Sequence, residues 1–205
     1  MNEQLVLKVL NKFGAVLKGH FIGTQELHLD TYINKDAIYP HTEETSYLCR
    51  AIAAEWYYND DYVEVVIAPE KGGIILSQWV THHLNQGYIG RPEVLGVYAE
   101  KSEDRNTFII KRGYDKIVTG RNVLVVEDVL NTGDSAKKVI EAVRAVSGNI
   151  VGLGVIWNRG GLTAQDIDVP KLTALVNIKL DAWNRATCPL CAQGVPINTD
   201  VGKGR

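Results

Sequence analysis

The stretch Asn122-Val123-Leu124-Val125-Val126-Glu127-Asp128-Val129-Leu130-Asn131-Thr132-Gly133-Asp134-Ser135 decides how this chain is read. Val123 to Val126 is a short apolar, mostly β-branched run, which predicts a strand buried on both faces. The run stops at two adjacent carboxylates, Glu127 and Asp128, and a small polar turn from Thr132 to Ser135 follows. Ala136, Val139, Ile140, Val143 and Val146 then recur at helical spacing, so a helix is expected directly after the turn. In open α/β sheets, ligands bind beyond the carboxyl ends of the strands. A glycine turn opening a helix presents unpaired N–H groups and the positive end of the helix dipole, which suits a phosphate. Thr132 and Ser135 add hydroxyl donors. Glu127 and Asp128 would repel that phosphate, so they are expected to reach another part of the ligand. Ionised carboxylates accept hydrogen bonds, and vicinal ribose hydroxyls donate them. The stretch reads as a sugar-phosphate site; the plain alternative is a buried strand ending in a solvated acidic turn.

The same residues closely resemble the phosphoribosyl-pyrophosphate signature of the type I phosphoribosyltransferases. That signature has four apolar residues, two acids, an apolar pair and a Thr-Gly phosphate turn. Asn131 departs from it, standing where many members carry Thr or another small residue. The resemblance implies an α/β fold with an open, mainly parallel sheet flanked by helices. It implies one domain over residues 1–205, with about 1–40 and 180–205 forming a small hood. It also implies that Glu127, Asp128, Asn131, Thr132, Gly133, Asp134 and Ser135 bind the ribose and 5′-phosphate of 5-phosphoribosyl 1-pyrophosphate (PRPP). Asp128 would also act in catalysis. Mg²⁺ would be carried by PRPP, with no direct protein ligand assigned.

Composition sets the outer bounds. The chain has 205 residues, enough to bury a sizeable core without disulfides, and its 45% apolar and 22% charged residues are those of a soluble globular protein. A net charge of −2 gives no electrostatic case for nucleic acid or an anionic membrane as partner. The N-terminus lacks the basic start and apolar core of a signal peptide, and no apolar run approaches a membrane span. Of three cysteines, Cys49 falls alone in a predicted helix, and Cys188 and Cys191 form Cys-Pro-Leu-Cys. The odd count points to a reducing cytoplasm. The pair reads first as a structural turn. Half a zinc site or a redox pair are the other readings, and zinc would need ligands from distant segments.

Before the central stretch, Leu5, Val6, Val9, Leu10 and Phe13 predict an amphipathic helix ended by Gly14. Residues from Ala15 to Asp36 are irregular, apart from an alternation of Leu27, Leu29, Thr31 and Ile33 that suggests a half-exposed strand. A helix is expected from Glu43 to Tyr58, a turn at Asn59-Asp60-Asp61, and strands over Val63–Ile67 and Val94–Tyr98. Pro69-Glu70-Lys71-Gly72-Gly73 joins the first of these strands to a helix from Ile74 to about Leu84, which makes it a second candidate anion site. After the central helix, Ile150 to Trp157 predicts a core strand and Val169 to Leu180 an edge strand, with a frayed Gly/Lys tail at the end.

These flanking segments resemble the orotate branch of the same family. Gly19-His20-Phe21, His28, Tyr32 and Asn34 match its N-terminal pattern, although Gln25-Glu26 stands where Ser-Gly is usual. Residues 69–73 correspond to its pyrophosphate loop, with Lys71 one position earlier than the usual lysine. The charged excursion from Ser102 to Asn106 occupies the place of a flexible catalytic loop, without the familiar Lys-Asp-His-Gly-Glu run. Lys101, Lys111 and Arg112 are then the cations for leaving-group charge; the plain alternative is a solvated flap. Arg159, in Asn158-Arg159-Gly160-Gly161, takes a nucleobase role together with Tyr32 and Asn34. A Cys-Pro-X-Cys ending occurs in a subset of this branch. The resemblance thus implies transfer of a phosphoribosyl group to orotate by a homodimer with crossing flaps. A purine phosphoribosyltransferase or a non-catalytic PRPP sensor are the alternatives.

Overall fold

The computed structural model describes residues 2–23, 26–58 and 62–201. Six strands form the main sheet: β3 (Val65–Pro69), β4 (Leu95–Lys101), β5 (Phe108–Ile109), β6 (Asn122–Leu130), β7 (Asn149–Asn158) and β8 (Leu172–Val176). Their order is β5-β4-β3-β6-β7-β8, with β5 antiparallel to β4 and every other pair parallel. Three antiparallel strands form a separate small sheet: β1 (Val16–Ile22), β2 (His28–Ile33) and β9 (Ala182–Trp183). The helices are α1 (Glu3–Lys12), α2 (Thr42–Ala54), α3 (Gly72–Gly87), α4 (Tyr114–Val118), α5 (Asp134–Ala145), α6 (Ala164–Ile167) and α7 (Pro189–Ala192).

Successive side chains of β3 and β6 feed two different cores, as the two-residue period of a strand requires. Val66, Ala68, Leu124 and Val126 join Leu48 and Ile52 of α2 and Leu76 and Val80 of α3. Val65, Ile67, Val123 and Val125 join Val139, Ile140 and Val143 of α5. Both faces are thus covered, which is why these strands read as continuous apolar runs. β7 is rich in small residues for a packing reason. A Cβ on Gly152 would come within 2.2 Å of the Trp56 ring, whose side chain is fully buried there. Burying an indole removes roughly 200 Å² from water, on the order of 5 kcal/mol.

The structure moves several boundaries. β6 does not stop at the acidic pair but continues to Leu130, because its pairing with β7 persists to Leu130–Asn158. Its pairing with β3, by contrast, ends at Ile67–Val125. The stretch from Ala15 on is not irregular: it contains β1, whose apolar alternation is interrupted by Lys18, Gly19 and His20. α2 ends at Ala54, short of Tyr58. The edge strand β8 is shorter than its pattern suggested. The excursion after β4 folds back as a hairpin onto β5, and the short helices α4, α6 and α7 have too few residues to show periodicity. The turn expected at Asn59-Asp60-Asp61, residue Gln25 and the Gly/Lys tail lie outside the described residues.

Candidate active site

The chain enters the main sheet at β3, adds β4 and β5 on one side, and then returns to place β6 on the other. The order therefore reverses between β3 and β6, and a crevice opens at their carboxyl ends. Among the described residues, β6 beyond Val125 has a strand partner only on its β7 side. Glu127 and Asp128 sit on this free edge. They help line a cavity of about 480 Å³, together with the end of β6, the turn after it and the start of α5, residues 129–136. Gly133 begins α5 at φ +77, a conformation that favours glycine, and a Cβ there would lie 2.4 Å from Ile167. Asn131, Thr132, Gly133, Asp134 and Ser135 all border the cavity. The first-turn N–H groups of α5 have no partner within the helix, as at any helix start.

The far wall comes from the small sheet. Leu29, Tyr32 and Ile33 of β2 and Lys35 just after it border the same cavity. Lys35 Nζ is 2.7 Å from Asp128 Oδ2, and the Tyr39 hydroxyl donates to that oxygen at 2.8 Å. Burial opposes the charge of Lys35, but the neighbouring Asp128 carboxylate, with Glu127 behind it, outweighs burial and raises its pKa. Burial, followed by the Asp128 charge, raises Tyr39. Glu127 is 6% exposed; burial and the adjacent Asp128 charge push its carboxyl up to about 8, against the pull of Lys35. Sequence reading missed Lys35 and Tyr39. Their one signal was position, directly after the Tyr32-Asn34 match.

Arg159 closes the site. Asn158 accepts from the N–H of Leu162 and donates to its carbonyl, which fixes the turn after β7. The N–H groups of Arg159 and Gly160 both donate to the Leu130 carbonyl. The Arg159 side chain borders the cavity and is 5% exposed as a residue, yet its Nε and Nη2 have no hydrogen-bond partner among the described residues. Burial lowers its pKa, and Asp30 alone acts against that.

The remaining expected site residues lie outside this cavity. Asn34 donates its backbone N–H to Ala15, and it is Lys35 that reaches inward. The loop of Pro69, Glu70, Lys71, Gly72 and Gly73 backs onto the acidic pair: a Cβ on Gly72 would stand 3.0 Å from Asp128 Oδ2. The Glu70–Lys71 peptide is cis, and Glu70 accepts the backbone N–H of Lys101 at 2.9 Å. Glu70 thus ties this loop to the end of β4 and does not face the cavity. Lys101, Lys111 and Arg112 are exposed on the hairpin, where Arg112 is ion-paired with Glu100. Glu26, which would repel an acidic ligand if it faced inward, is exposed and does not line the cavity.

Residues 39–184 match the family described as "Phosphoribosyl transferase domain". The chain belongs to this phosphoribosyltransferase family. It is 32% identical to the orotate phosphoribosyltransferase of Thermoanaerobacter sp. (strain X514), over 96% of each chain. It is 35% identical to the orotate phosphoribosyltransferase of Pelotomaculum thermopropionicum, over 96% of this chain and 95% of that one. Among solved structures, orotate phosphoribosyltransferase of Mycobacterium tuberculosis H37Rv in complex with PRPP superposes with a TM-score of 0.57. It has 21% identity and covers 85% of this chain and 87% of that one. Adenine phosphoribosyltransferase of Thermoanaerobacter pseudethanolicus ATCC 33223 superposes with a TM-score of 0.59 at 13% identity, covering 83% of this chain and 98% of that one. Enzymes named for different bases therefore share this fold, and the choice of base has to come from the site.

Proposed function

We propose that this phosphoribosyltransferase transfers the 5-phosphoribosyl group of PRPP to orotate, giving orotidine 5′-phosphate and pyrophosphate. One observation carries the choice of base: Arg159, a buried guanidinium whose Nε and Nη2 have no partner among the described residues, lines the same cavity as the acidic pair. A charged donor left unpaired in a buried site is costly, and a planar carboxylate is the group that satisfies it bidentately. Orotate has such a carboxylate; uracil and the common purine bases do not. The near relatives named as orotate phosphoribosyltransferases support the same choice.

In this reading the turn of Asn131, Thr132, Gly133, Asp134 and Ser135 holds the 5′-phosphate against the start of α5. Glu127 and Asp128 hold the ribose hydroxyls. A protonated Glu127 both donates and accepts, so it suits a diol as well as a carboxylate does. The orotate ring lies between Arg159 and Tyr32, with the loop at 69–73 beneath the pyrophosphate. As the C1–O bond to pyrophosphate breaks and the C1–N bond forms, with the proton of that nitrogen passing to the departing pyrophosphate, positive charge grows on the ribose ring. The buried Asp128 carboxylate stabilises it. Lys101, Lys111 or Arg112 meets the charge growing on the leaving group once the hairpin closes and excludes water.

Glu127, Asp128 and Asp134 border the cavity, and acidic side chains are the oxygen donors that would suit Mg²⁺ carried in on PRPP. When bound, the ion neutralises part of the pyrophosphate charge. We place the enzyme in the cytoplasm as a homodimer, its single domain hooded by the small sheet and its flanks, about residues 1–40 and 180–205. The deciding experiment is pyrophosphate release from PRPP and Mg²⁺ with each base in turn. Release with orotate alone is expected. Release with a purine alone makes this a purine enzyme, and PRPP binding without release from any base makes it a sensor.

A further inference from the structure

Four side chains that this chemistry does not use converge where β1 and β2 meet the C-terminal segment. His20 of β1 and His28 of β2 meet Cys188 and Cys191 of the C-terminal segment, and their four donor atoms all lie within 4.8 Å of one another. Cys188 Sγ and Cys191 Sγ are each 3.7 Å from His20 Nε2, and Cys191 Sγ is 3.4 Å from His28 Nδ1. Tetrahedral zinc with bonds of about 2.0 Å to nitrogen and 2.3 Å to sulfur has donor separations of about 3.3 to 3.8 Å. The two ring nitrogens, at 2.7 Å, are closer than that, and a small ring rotation would part them. The cluster is sheltered: His20, His28 and Cys188 are all below 5% exposed.

The hydrogen bond behind His20 fixes its role. His20 Nδ1 is 2.7 Å from the Val195 carbonyl, which can only accept, so Nδ1 carries the proton and Nε2 presents its lone pair to the sulfurs. A backbone carbonyl holding the outer nitrogen of a ligating histidine is the usual second contact of a metal site. We propose that His20, His28, Cys188 and Cys191 bind a single structural zinc ion. Two thiolates and two neutral imidazoles give zinc a tetrahedral shell with no net charge, which suits a buried position. All four donors crowd around one point, leaving no room for a two-iron cluster. The ion ties the β1–β2 hairpin to the C-terminal segment across at least 160 positions of sequence. The same strand β2 carries Leu29, Tyr32 and Ile33 into the cavity, so the staple holds the wall against which the base lies. The small sheet has few buried apolar residues of its own, the situation in which a metal replaces a core.

The test is metal analysis of the full chain, purified under reducing agent from zinc-supplemented medium, beside Cys188→Ser, Cys191→Ser and Cys49→Ser. One zinc per chain is expected in the parent and in Cys49→Ser, and none in the other two. A second measurement avoids variants that fail to fold. Parent protein stripped with a chelator is titrated with cobalt(II), which should give the absorption of tetrahedral thiolate-bound cobalt, saturating at one equivalent and restoring the lost melting temperature. A metal-free parent with no cobalt spectrum overturns the proposal. So does a Cys188–Cys191 disulfide that persists under reduction, or zinc retained at one per chain in both cysteine variants.

Discussion

Lys35 Nζ lies 2.7 Å from Asp128 Oδ2, joining the small sheet to β6 across the mouth of the cavity. The same oxygen already accepts from Tyr39, while Oδ1 takes the Val129 N–H at 2.7 Å. A ribose hydroxyl that reaches Oδ2 must therefore compete with Lys35. The lysine side chain is 40% exposed and can turn away toward the phosphate oxygens of the same ligand. Lys35→Ala should raise the KM for PRPP roughly tenfold or more, the worth of one charged contact, with a smaller change in kcat. An unchanged KM would mean that Lys35 only neutralises the empty site.

Glu127 makes stability depend on pH. Its folded-state pKa, near 8, is raised above the ordinary 4.5 by burial and by Asp128. A carboxyl raised on folding binds its proton more tightly when folded. Its contribution is complete below about pH 4.5 and is lost as pH climbs through about 8. The melting temperature of the parent should fall between pH 5 and 8.5 relative to Glu127→Gln by at least ~2 °C, equivalent to about 1 kcal/mol. Parallel curves for the two proteins would show that Glu127 ionises normally.

Glu127→Gln combined with Asp128→Asn should abolish turnover and leave the fold standing. Both side chains sit on the strand edge that β3 leaves free, so they carry no sheet pairing. Circular dichroism should stay near the parent's at neutral pH, with a shift in melting temperature as Asp128 gives up its ion pair with Lys35, while pyrophosphate release falls below detection. Near-normal activity would remove the acidic pair from the ribose site.

The hairpin cations should act late in the reaction. Alanine at Lys101, Lys111 or Arg112 is expected to cut kcat by about a hundredfold to a thousandfold in whichever variant removes the cation that meets the leaving group. Equilibrium binding of PRPP should change little. Arg112 begins with a handicap, since it is held by Glu100 in the open hairpin. Full activity in all three variants would shift the role to Lys71.

The central stretch was legible because physics repeats itself there: a strand buried on both faces, a glycine turn and an amphipathic helix each leave their own period. The two acids were read as the end of the strand and lie instead within β6, on its free edge. Which neighbour a strand loses, and where, is a property of sheet order that a single segment does not carry. β1 stayed hidden for the opposite reason. His20 occupies a buried position as a polar residue and breaks the alternation, and its partners Cys188 and Cys191 lie far along the chain. Lys35 and Tyr39 likewise meet Asp128 only through the folded contact between the N-terminal segment and β6.

In the proposed reading Arg159 selects the base, and the expected effects differ by substrate. Its backbone is held by Leu130 on one side and Leu180 on the other, so truncating the side chain should leave the turn in place. Removing one partner of a buried charge pair costs about 2–5 kcal/mol, or roughly 30-fold to several-thousand-fold in kcat/KM. Arg159→Ala should lose orotate turnover by that factor while PRPP binds as before, because the acidic pair and the turn at 131–135 are untouched. Uracil has the same ring without the carboxylate and would leave the guanidinium buried and unpaired. The parent should therefore reject uracil strongly, and Arg159→Ala should narrow the gap by losing orotate rather than by gaining uracil. Arg159→Lys should recover only part of the activity, since an ammonium offers a point charge in place of a planar fork. Orotate turnover that survives Arg159→Ala would place the carboxylate elsewhere, against the backbone N–H groups of the small sheet.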